Sequence, residues 1–459
     1  MNAVIIDISA YTILILFVLY TLFGFAGLMA RDTRTSNDIL RKQRFFLFAT
    51  HLNCYVALLA DNPSTFVAVL YVMELIFFFA VMKIYTFYYD DGSILLTNNM
   101  LMCLAIGFVI LTRLDVDLAL KQVMIAAVAS IILLFAPIIV ARATKFIRSF
   151  TWVYAGIGFF ALLAVFMYGS LTGGAKLAIT VAGTSFQPSE IVKILFVLFV
   201  AGFLSKGTDL KHVIIATAIA AAHVLLLVAS TDLGAALIFF ITYLVMLYIA
   251  TKQWWWMILG LGAGAAASVV AYKLFYHVQV RVTAWLDPLS KVENEGYQIS
   301  QALFAISGGG WFGEGIASGM PYKIPVVETD FIFAAIVEEL GTVFAICLIL
   351  VILTNFLMMV NISTKVKLPF YQYIAMGLGT CYTFQAFLNI GGVTKFIPCT
   401  GVTLPLISYG GTSLVATLII FSFIQGMYVL ENRQKKAIQN EKKREKRRQS
   451  RTSSKRRRS

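Results

Sequence analysis

Charged residues are scarce in this chain of 459 residues, where lysine, arginine, aspartate and glutamate together make up 13%. A soluble globular domain carries about 25% charged and about 45–50% apolar residues. Here 59% of the residues are hydrophobic, and the mean hydropathy is +0.83. Apolar runs of about 20 residues, long enough to cross a bilayer as a helix, recur from end to end. The composition therefore excludes a soluble protein and predicts an all-α polytopic membrane protein.

Residues that bind metals or carry redox chemistry are also few. The chain has five cysteines, scattered without the spacing of metal ligands, and four histidines that form no metal motif. This pattern excludes a zinc site or a disulfide framework as the organising feature of the fold. No resident cofactor and no metal ligand is predicted from these residues.

The apolar runs predict thirteen membrane spans. They cover residues 8–30, 45–61, 66–89, 98–112, 117–140, 149–170, 188–204, 210–229, 233–250, 254–276, 330–358, 368–390 and 405–430. Basic residues are concentrated in the loops 31–44, 141–149, 205–211 and 363–367. With thirteen spans, these loops and the C-terminus lie on one side, which is the cytoplasm by the positive-inside rule. We therefore expect Met1 outside and Ser459 in the cytoplasm.

Positive charge is concentrated at the C-terminus. From Arg433 onward the chain has 14 basic residues against two glutamates, which accounts for +12 of the net charge of +14. Such a block of like charge is predicted to be disordered. It is typical of a cytoplasmic segment held near anionic lipid, and nucleic-acid binding is the alternative interpretation. We expect anionic lipid and no nucleic acid as its partner.

One connection, residues 277–329, is much longer than the others, and the predicted orientation places it outside. Long ordered loops are usually functional. The segment SGGGWFGEGIASGM (307–320) combines glycines, which permit close backbone approach, with interleaved large apolar side chains. We interpret it as a loop packed onto the membrane face, with a flexible linker as the alternative. No strand–glycine–helix context supports nucleotide binding.

Ionisable residues in or beside the spans are the candidate functional residues, because a carboxylate at the bilayer centre costs about 2.5–3.5 kcal/mol. Glu190 and Lys193 in FQPSEIVK are three residues apart and share a helix face. They are also interpretable as an ion pair that only orients helices. Asp232 starts the ninth span, where an N-cap is the alternative role. Thr329 and Asp330 likewise resemble an N-cap.

Two glutamates, Glu338 and Glu339, lie two turns deeper in the span that follows Asp330. We expect them to be structural or supporting residues that face the helix of Lys193 or similar partners, since intramembrane acids face the bundle or a cavity. The predicted topology brings the three candidate sites together at the outer leaflet. Such a cavity suits a proton-coupled transporter. It equally suits a glycosyl-transferring enzyme, which needs a carboxylate base for a sugar hydroxyl and a cation for a pyrophosphate leaving group.

Six stretches of the chain resemble the shape, elongation, division and sporulation (SEDS) family, which includes RodA-type and FtsW-type proteins. They are QPSEIVK (187–193), TDLGAAL (231–237), RVTAWLDP (281–288), GYQISQALFAISGGGWFGEG (296–315), ETDFIFAAIVEELG (328–341) and GVTLPLISYGGTS (401–413). The resemblance runs in order over about residues 98–430. It implies a ten-span SEDS-like core, 98–430, that contains the outer loop 277–329. About three extra transmembrane helices, 1–97, precede this core, and the basic cytoplasmic tail, 431–459, follows it.

The resemblance also implies a function. Family members are peptidoglycan glycosyltransferases that polymerise lipid II at the outer face of the cytoplasmic membrane, for elongation, division or sporulation, with a class B penicillin-binding protein as partner. The catalytic aspartate of the family falls on Asp330. The expected substrate contacts are Lys176, Glu190, Lys193, Asp232 and Arg281. A basic residue of this set, or a divalent cation, would hold the pyrophosphate. A lipid II flippase and a non-catalytic scaffold for a penicillin-binding protein are the alternatives.

The chain departs from the family pattern at two places. The loop GAKLAITVAGTSFQPSE keeps Lys176 but lacks the tryptophan that many members carry before QPSE. Thr231 stands where many members have proline before the aspartate. These departures weaken the assignment of substrate contacts rather than the family resemblance.

Overall fold

The computed structural model describes residues 2–30, 32–89, 91–142, 144–172, 175–181 and 184–456, and helices dominate it. The first helices are α1 (Asn2–Met29), α2 (Thr33–Asp61), α3 (Thr65–Tyr88), α4 (Ile94–Leu114), α5 (Val116–Leu133), α6 (Ala136–Arg142), α7 (Thr144–Ser149) and α8 (Thr151–Tyr168). There follow α9 (Pro188–Leu204), α10 (Leu210–Ala229), α11 (Leu233–Thr251), α12 (Trp255–Leu274), α13 (Tyr276–Leu286) and α14 (Tyr297–Gly309). The last are α15 (Ile332–Lys365), α16 (Pro369–Val393) and α17 (Gly411–Arg456).

Each of the thirteen predicted spans coincides with helix in the described residues. The span 188–204 has the bounds of α9, and the span 117–140 is divided between α5 and α6. Nine of the described helices are long and apolar enough on their own to cross a membrane. The four other predicted spans fall on α2, α5 with α6, α9 and α16. The prediction of an all-α polytopic membrane protein is confirmed.

A small sheet is the one departure from that prediction within the described residues. Residues 170–186, read as a loop in the sequence, contain β1 (Ser170–Thr172), β2 (Ala175–Val181) and β3 (Thr184–Phe186). The strands pair antiparallel in the order β1-β2-β3. Their threonine, valine, isoleucine and phenylalanine residues favour extended backbone. The sheet connects α8 to α9 and so precedes the QPSEIVK stretch.

The helix α15 is broken at Gly341, whose backbone has φ 88° and ψ 164°. The break frees backbone groups that a membrane helix would otherwise satisfy internally. The glycine-rich loop, residues 307–320, takes them up through four backbone hydrogen bonds of 2.9–3.2 Å. They run from Glu314 N to Glu338 O, from Gly315 N to Glu339 O, from Thr342 N to Gly310 O, and from Val343 N to Trp311 O.

Glycine is required at the break for a steric reason as well. A Cβ at Gly341 would lie 2.4 Å from the carbonyl carbon of Phe312, closer than real contacts allow. The loop and the broken helix are therefore in backbone-to-backbone contact. The interpretation of 307–320 as a packed loop is confirmed, and the flexible-linker alternative is wrong.

The basic C-terminal segment differs from its prediction. It was expected to be disordered, whereas α17 continues as a helix through Arg456. Lysine, arginine, glutamate and glutamine are good helix formers, and Lys435 pairs with Glu431 one turn away at 3.1 Å. The start of this segment also contacts Asp91 between α3 and α4, through Lys436 and Arg433.

Candidate active site

The starts of α9, α11 and α15 meet around the segment 400–413. Gln187 N, just before α9, donates to Thr412 Oγ1 at 3.3 Å. Tyr409 N donates to the carbonyl of Glu328, before α15, at 2.8 Å. A Cβ at Gly234, in the first turn of α11, would lie 3.1 Å from the carbonyl oxygen of Thr400. This segment therefore brings the three regions of candidate residues to one end of the bundle.

Asp330 lies in a turn that precedes α15. The helix begins at Ile332 and its N-cap is Phe331, with no side-chain capping bond among the described residues. The amides of Thr329 and Asp330 both donate to the carbonyl of Val326, at 3.2 Å, so the chain turns before the helix starts. The predicted N-cap at Thr329 and Asp330 is therefore wrong. The carboxylate of Asp330 is not occupied in capping.

Asn389 on α16 fixes the backbone at Asp330. Its Nδ2 donates to the carbonyl of Asp330 at 2.9 Å and to the carbonyl of Val402 at 2.7 Å. Ser408 Oγ donates to the carbonyl of Thr329 at 2.5 Å. Residues far away in sequence thus hold the backbone at Asp330 and at the residue before it. This fixed backbone sets the direction of the Asp330 carboxylate.

Gly401 lies beside both the Asp330 carboxylate and the Arg281 guanidinium. Its φ is +72°, and a Cβ there would lie 3.5 Å from both Asp330 Oδ2 and Arg281 Nη2. Arg281 also donates from Nη1 to the carbonyl of Cys399 at 3.3 Å. Burial raises the pKa of the Asp330 carboxyl above its ordinary value, while the positive charge of Arg281 opposes that rise. A half-buried carboxylate beside an arginine suits proton transfer next to a negatively charged group.

Lys193 is held in a separate polar network in the core. Its Nζ donates to Glu190 Oε2 at 2.6 Å and to Gln385 Oε1 at 2.5 Å, and its side chain is only 3% exposed. Gln385 Nε2 in turn donates to the carbonyl of Thr403 at 3.1 Å. The predicted pairing of Glu190 with Lys193 is present. The network links α9 through α16 to the 400–413 segment.

Asp232 is the N-cap of α11, as the alternative interpretation held. Its Oδ1 accepts from Ala235 N at 3.1 Å. Its Oδ2 accepts from Ser189 Oγ at 3.2 Å, which ties the start of α11 to the start of α9. This side chain is buried, so its observed contacts are structural.

Glu338 and Glu339 make structural contacts as expected, but their partners are Arg113 and the glycine-rich loop rather than the helix of Lys193. Glu339 Oε1 accepts from Arg113 Nε, at the end of α4, at 2.9 Å and from Ala317 N at 3.3 Å. Glu338 Oε1 accepts from Met320 N at 2.9 Å. The sequence could not show this, because the glycine-rich loop folds back onto the glutamates. They fasten that loop to α15.

The comparisons with known proteins agree with this geometry. A profile of the family described as "Cell cycle protein", which covers FtsW, RodA and SpoVE, matches residues 93–433. The chain belongs to this family. The FtsW/RodA/SpoVE match begins at the residue before α4, so α1, α2 and α3 lie outside it. The chain is accordingly a multi-pass protein of the bacterial cytoplasmic membrane.

Named relatives lie on both branches of the FtsW/RodA/SpoVE family. The peptidoglycan glycosyltransferase RodA of Mycobacterium tuberculosis is 34% identical over 318 residues, which cover 60% of this chain and 68% of the relative. The probable peptidoglycan glycosyltransferase FtsW of Halorhodospira halophila is 36% identical over 286 residues, which cover 58% of this chain and 72% of the relative.

Solved structures share the FtsW/RodA/SpoVE fold. Thermus thermophilus RodA matches with a TM-score of 0.54 and 22% identity, over 73% of this chain and 96% of that one. A chain from a study described as "Structural coordination of polymerization and crosslinking by a peptidoglycan synthase complex" matches with a TM-score of 0.62 and 23% identity. That match covers 75% of this chain and 98% of the other.

Three further residues bear on the site, of which one was predicted and two were not. Lys176 lies on β2, but its side chain falls outside the described part of the structure. Gln385 and Asn389 on α16 were not predicted, although two amide side chains four residues apart in an apolar span share one helix face. That spacing is a usable signal, because buried polar groups need partners. Among the described residues, no group of three or more His, Cys, Asp and Glu could hold a metal ion.

Proposed function

We propose that this chain is a peptidoglycan glycosyltransferase that polymerises lipid II into glycan strands at the outer face of the cytoplasmic membrane, with Asp330 as its general base. The observation that carries the proposal is the half-buried Asp330 carboxylate, beside Arg281 and Gly401. Its sequence context supports the same conclusion, since the named relatives are peptidoglycan glycosyltransferases.

The chemistry assigns different roles to the two charged groups. A hydroxyl of the acceptor sugar loses its proton to the carboxylate of Asp330 as its oxygen attacks the anomeric carbon of the donor. The bond to the pyrophosphate breaks, and the electron pair leaves with that group. The guanidinium of Arg281 offers several N–H donors for the departing anion. A base typically contributes about 10²–10⁴-fold to the rate.

The other predicted contacts take supporting parts. Lys193 is neutralised by Glu190 and nearly inaccessible, so we assign the pair to holding α9 against α16 rather than to the pyrophosphate. Asp232 holds the start of α11. Lys176 stays a candidate for the pyrophosphate, together with a divalent cation, and its neutral substitution should raise the KM for lipid II if it has that role.

We place Met1 outside and the C-terminal helix in the cytoplasm, on the pattern of basic loops. A reporter fused to the N-terminus that is active only in the cytoplasm would reject this orientation. We also propose a class B penicillin-binding protein as partner, supported by the similarity to a chain from a study of a peptidoglycan synthase complex. Co-purification of the two full-length proteins tests it, and their separate elution would contradict it.

The test of the function uses the purified full-length protein and lipid II. Glycan strands resolved on a gel would support polymerisation. Translocation of fluorescent lipid II across vesicles without any strand formation would instead establish a flippase. An inactive protein that still binds its penicillin-binding protein would establish a scaffold.

A further inference from the structure

The break in α15 contacts a part of the chain that lies outside the family match. Phe17 of α1 stacks on Phe344, just beyond the break, with ring centroids 4.1 Å apart, and both rings are fully buried. Tyr11 lies with its ring centroid 6.4 Å from that of Phe312 in the glycine-rich loop. A Cβ at Gly315 would lie 3.3 Å from Ile6. The helix α1 therefore touches both partners of the break.

The helix α2 reaches the same place from another side. A small cavity lies between Thr50 and His51 of α2 and Leu340 and Phe344 of α15. Within the described residues, Thr50 Oγ1 and His51 Nδ1 are buried and have no hydrogen-bond partner.

A buried polar cluster connects these helices to the core. His51 Nε2 lies 2.7 Å from Glu74 Oε2, and both side chains are 0% exposed. Tyr55 OH donates to Glu74 Oε1 at 2.6 Å and lies 3.2 Å from Thr112 Oγ1 on α4. The next residue, Arg113, holds Glu339 at the break. The cluster thus connects α2, α3 and α4. It lies next to Arg113, which binds Glu339 on α15.

The break at Gly341 must be buried by surrounding protein. Irregular backbone at membrane depth is tolerated only where protein buries it or where it lines a cavity, because exposed peptide groups cannot hydrogen-bond to lipid. The segment between Asp330 and the break is a short buried helix, Ile332–Leu340, whose far end is bound by the glycine-rich loop and by Arg113. Because this helix follows Asp330 directly, loosening of the break would shift it against Asn389 and Ser408, which hold the backbone at Asp330, and would move the carboxylate.

We propose that the three N-terminal helices position Asp330 by burying and bracing the break at Gly341, and that Phe17 is a positioning residue for the reaction. This rests on the proposed role of Asp330 as the base. A misplacement of about 1 Å far from the chemistry is enough to lower the rate by about 100-fold. The brace acts on kcat, because it changes the geometry of the base and leaves the groups that contact lipid II in place.

The test compares two phenylalanine truncations on the same helix, in the full-length protein. Phe17→Ala removes the ring that stacks on Phe344. Phe23→Ala is the matched control, since the Phe23 ring packs on Phe46 of α2 with centroids 5.0 Å apart. Hydrogen exchange is followed at the four amides that cross the break, Glu314, Gly315, Thr342 and Val343, and polymerisation kinetics are measured alongside.

We expect Phe17→Ala to raise exchange at these four amides at least tenfold and to lower kcat roughly 10- to 100-fold with little change in KM. Phe17→Leu should restore most of the protection from exchange and most of kcat. Phe23→Ala should leave both quantities near their wild-type values. If Phe17→Ala does not fold, Tyr11→Ala replaces it, since Tyr11 is 60% exposed. Tyr11→Ala should also raise exchange at the four amides and lower kcat. Faster exchange with unchanged kcat would overturn the proposal that the break positions Asp330, whereas the role of Asp330 as the base is tested separately by Asp330→Asn. Unchanged exchange in Phe17→Ala or Tyr11→Ala would overturn the brace itself.

Discussion

Asn389 gives a quantitative test of how the base is held. Its side chain is 3% exposed, and Nδ2 donates to two carbonyls, those of Asp330 and Val402. Asn389→Leu removes both bonds and keeps a similar volume. A typical hydrogen bond contributes about 0.5–1.5 kcal/mol net, so the loss should be about 1–3 kcal/mol of unfolding free energy. Because Asp330 is then no longer fixed, we expect kcat to fall roughly 10- to 100-fold.

The matched control is Asn355→Leu. Asn355 is also fully buried in an apolar helix, and its Nδ2 donates to Tyr382 OH at 3.1 Å, away from the 400–413 segment. Both variants should show lower thermal unfolding midpoints in detergent. Only Asn389→Leu should lose polymerisation of lipid II. Equal activities for the two variants at equal folded fraction would refute the claim that Asn389 orients the base.

Three further outcomes are expected. Because burial raises the pKa of Asp330, the fall of kcat/KM on acidification should be centred at a pH above the ordinary aspartate pKa of about 3.9. A flat profile of kcat/KM down to that pH would contradict this. Asp232→Asn should cost less than tenfold in rate, since asparagine caps a helix about as well as aspartate, and a complete loss would give Asp232 a chemical role. Removing residues 437–459 should leave polymerisation in detergent unchanged, and lost polymerisation would contradict this. The same deletion should weaken binding to anionic vesicles by about 1 kcal/mol for each basic residue near the surface.

The elements governed by local chemistry could be predicted from the sequence. The span 188–204 matches α9 because a proline stands at its first position and the residues from Ile194 to Leu204 are uniformly apolar. Asp232 caps α11 because an aspartate followed by an apolar helix satisfies the free amides by itself. These features need no partner from a distant part of the chain.

The elements that depend on distant partners could not be predicted. The turn before Asp330 exists because Ser408 and Tyr409 hold the carbonyls of Thr329 and Glu328. The break at Gly341 looks like a single glycine within an apolar run until the loop that satisfies it is placed. The partners of Glu338 and Glu339 depend on the same loop. Arg281 was predicted only by family resemblance, and its place beside Asp330 comes from the fold.

The central claim is that Asp330 is a base and not a structural residue. The measurement is the rate of lipid II polymerisation by purified Asp330→Asn, together with its thermal unfolding midpoint at pH 7. A raised folded-state pKa means that the stability contributed by Asp330 is present at low pH and is lost as the pH rises through that pKa. Asparagine should therefore leave the midpoint unchanged or raise it.

The rate should nevertheless fall about 10²–10⁴-fold, because asparagine cannot accept the proton. This corresponds to about 2.7–5.4 kcal/mol of transition-state stabilisation. A stable Asp330→Asn protein with almost no glycan strands is the predicted result. A stable variant that polymerises lipid II within tenfold of the wild-type rate would contradict the assignment of Asp330 as the base.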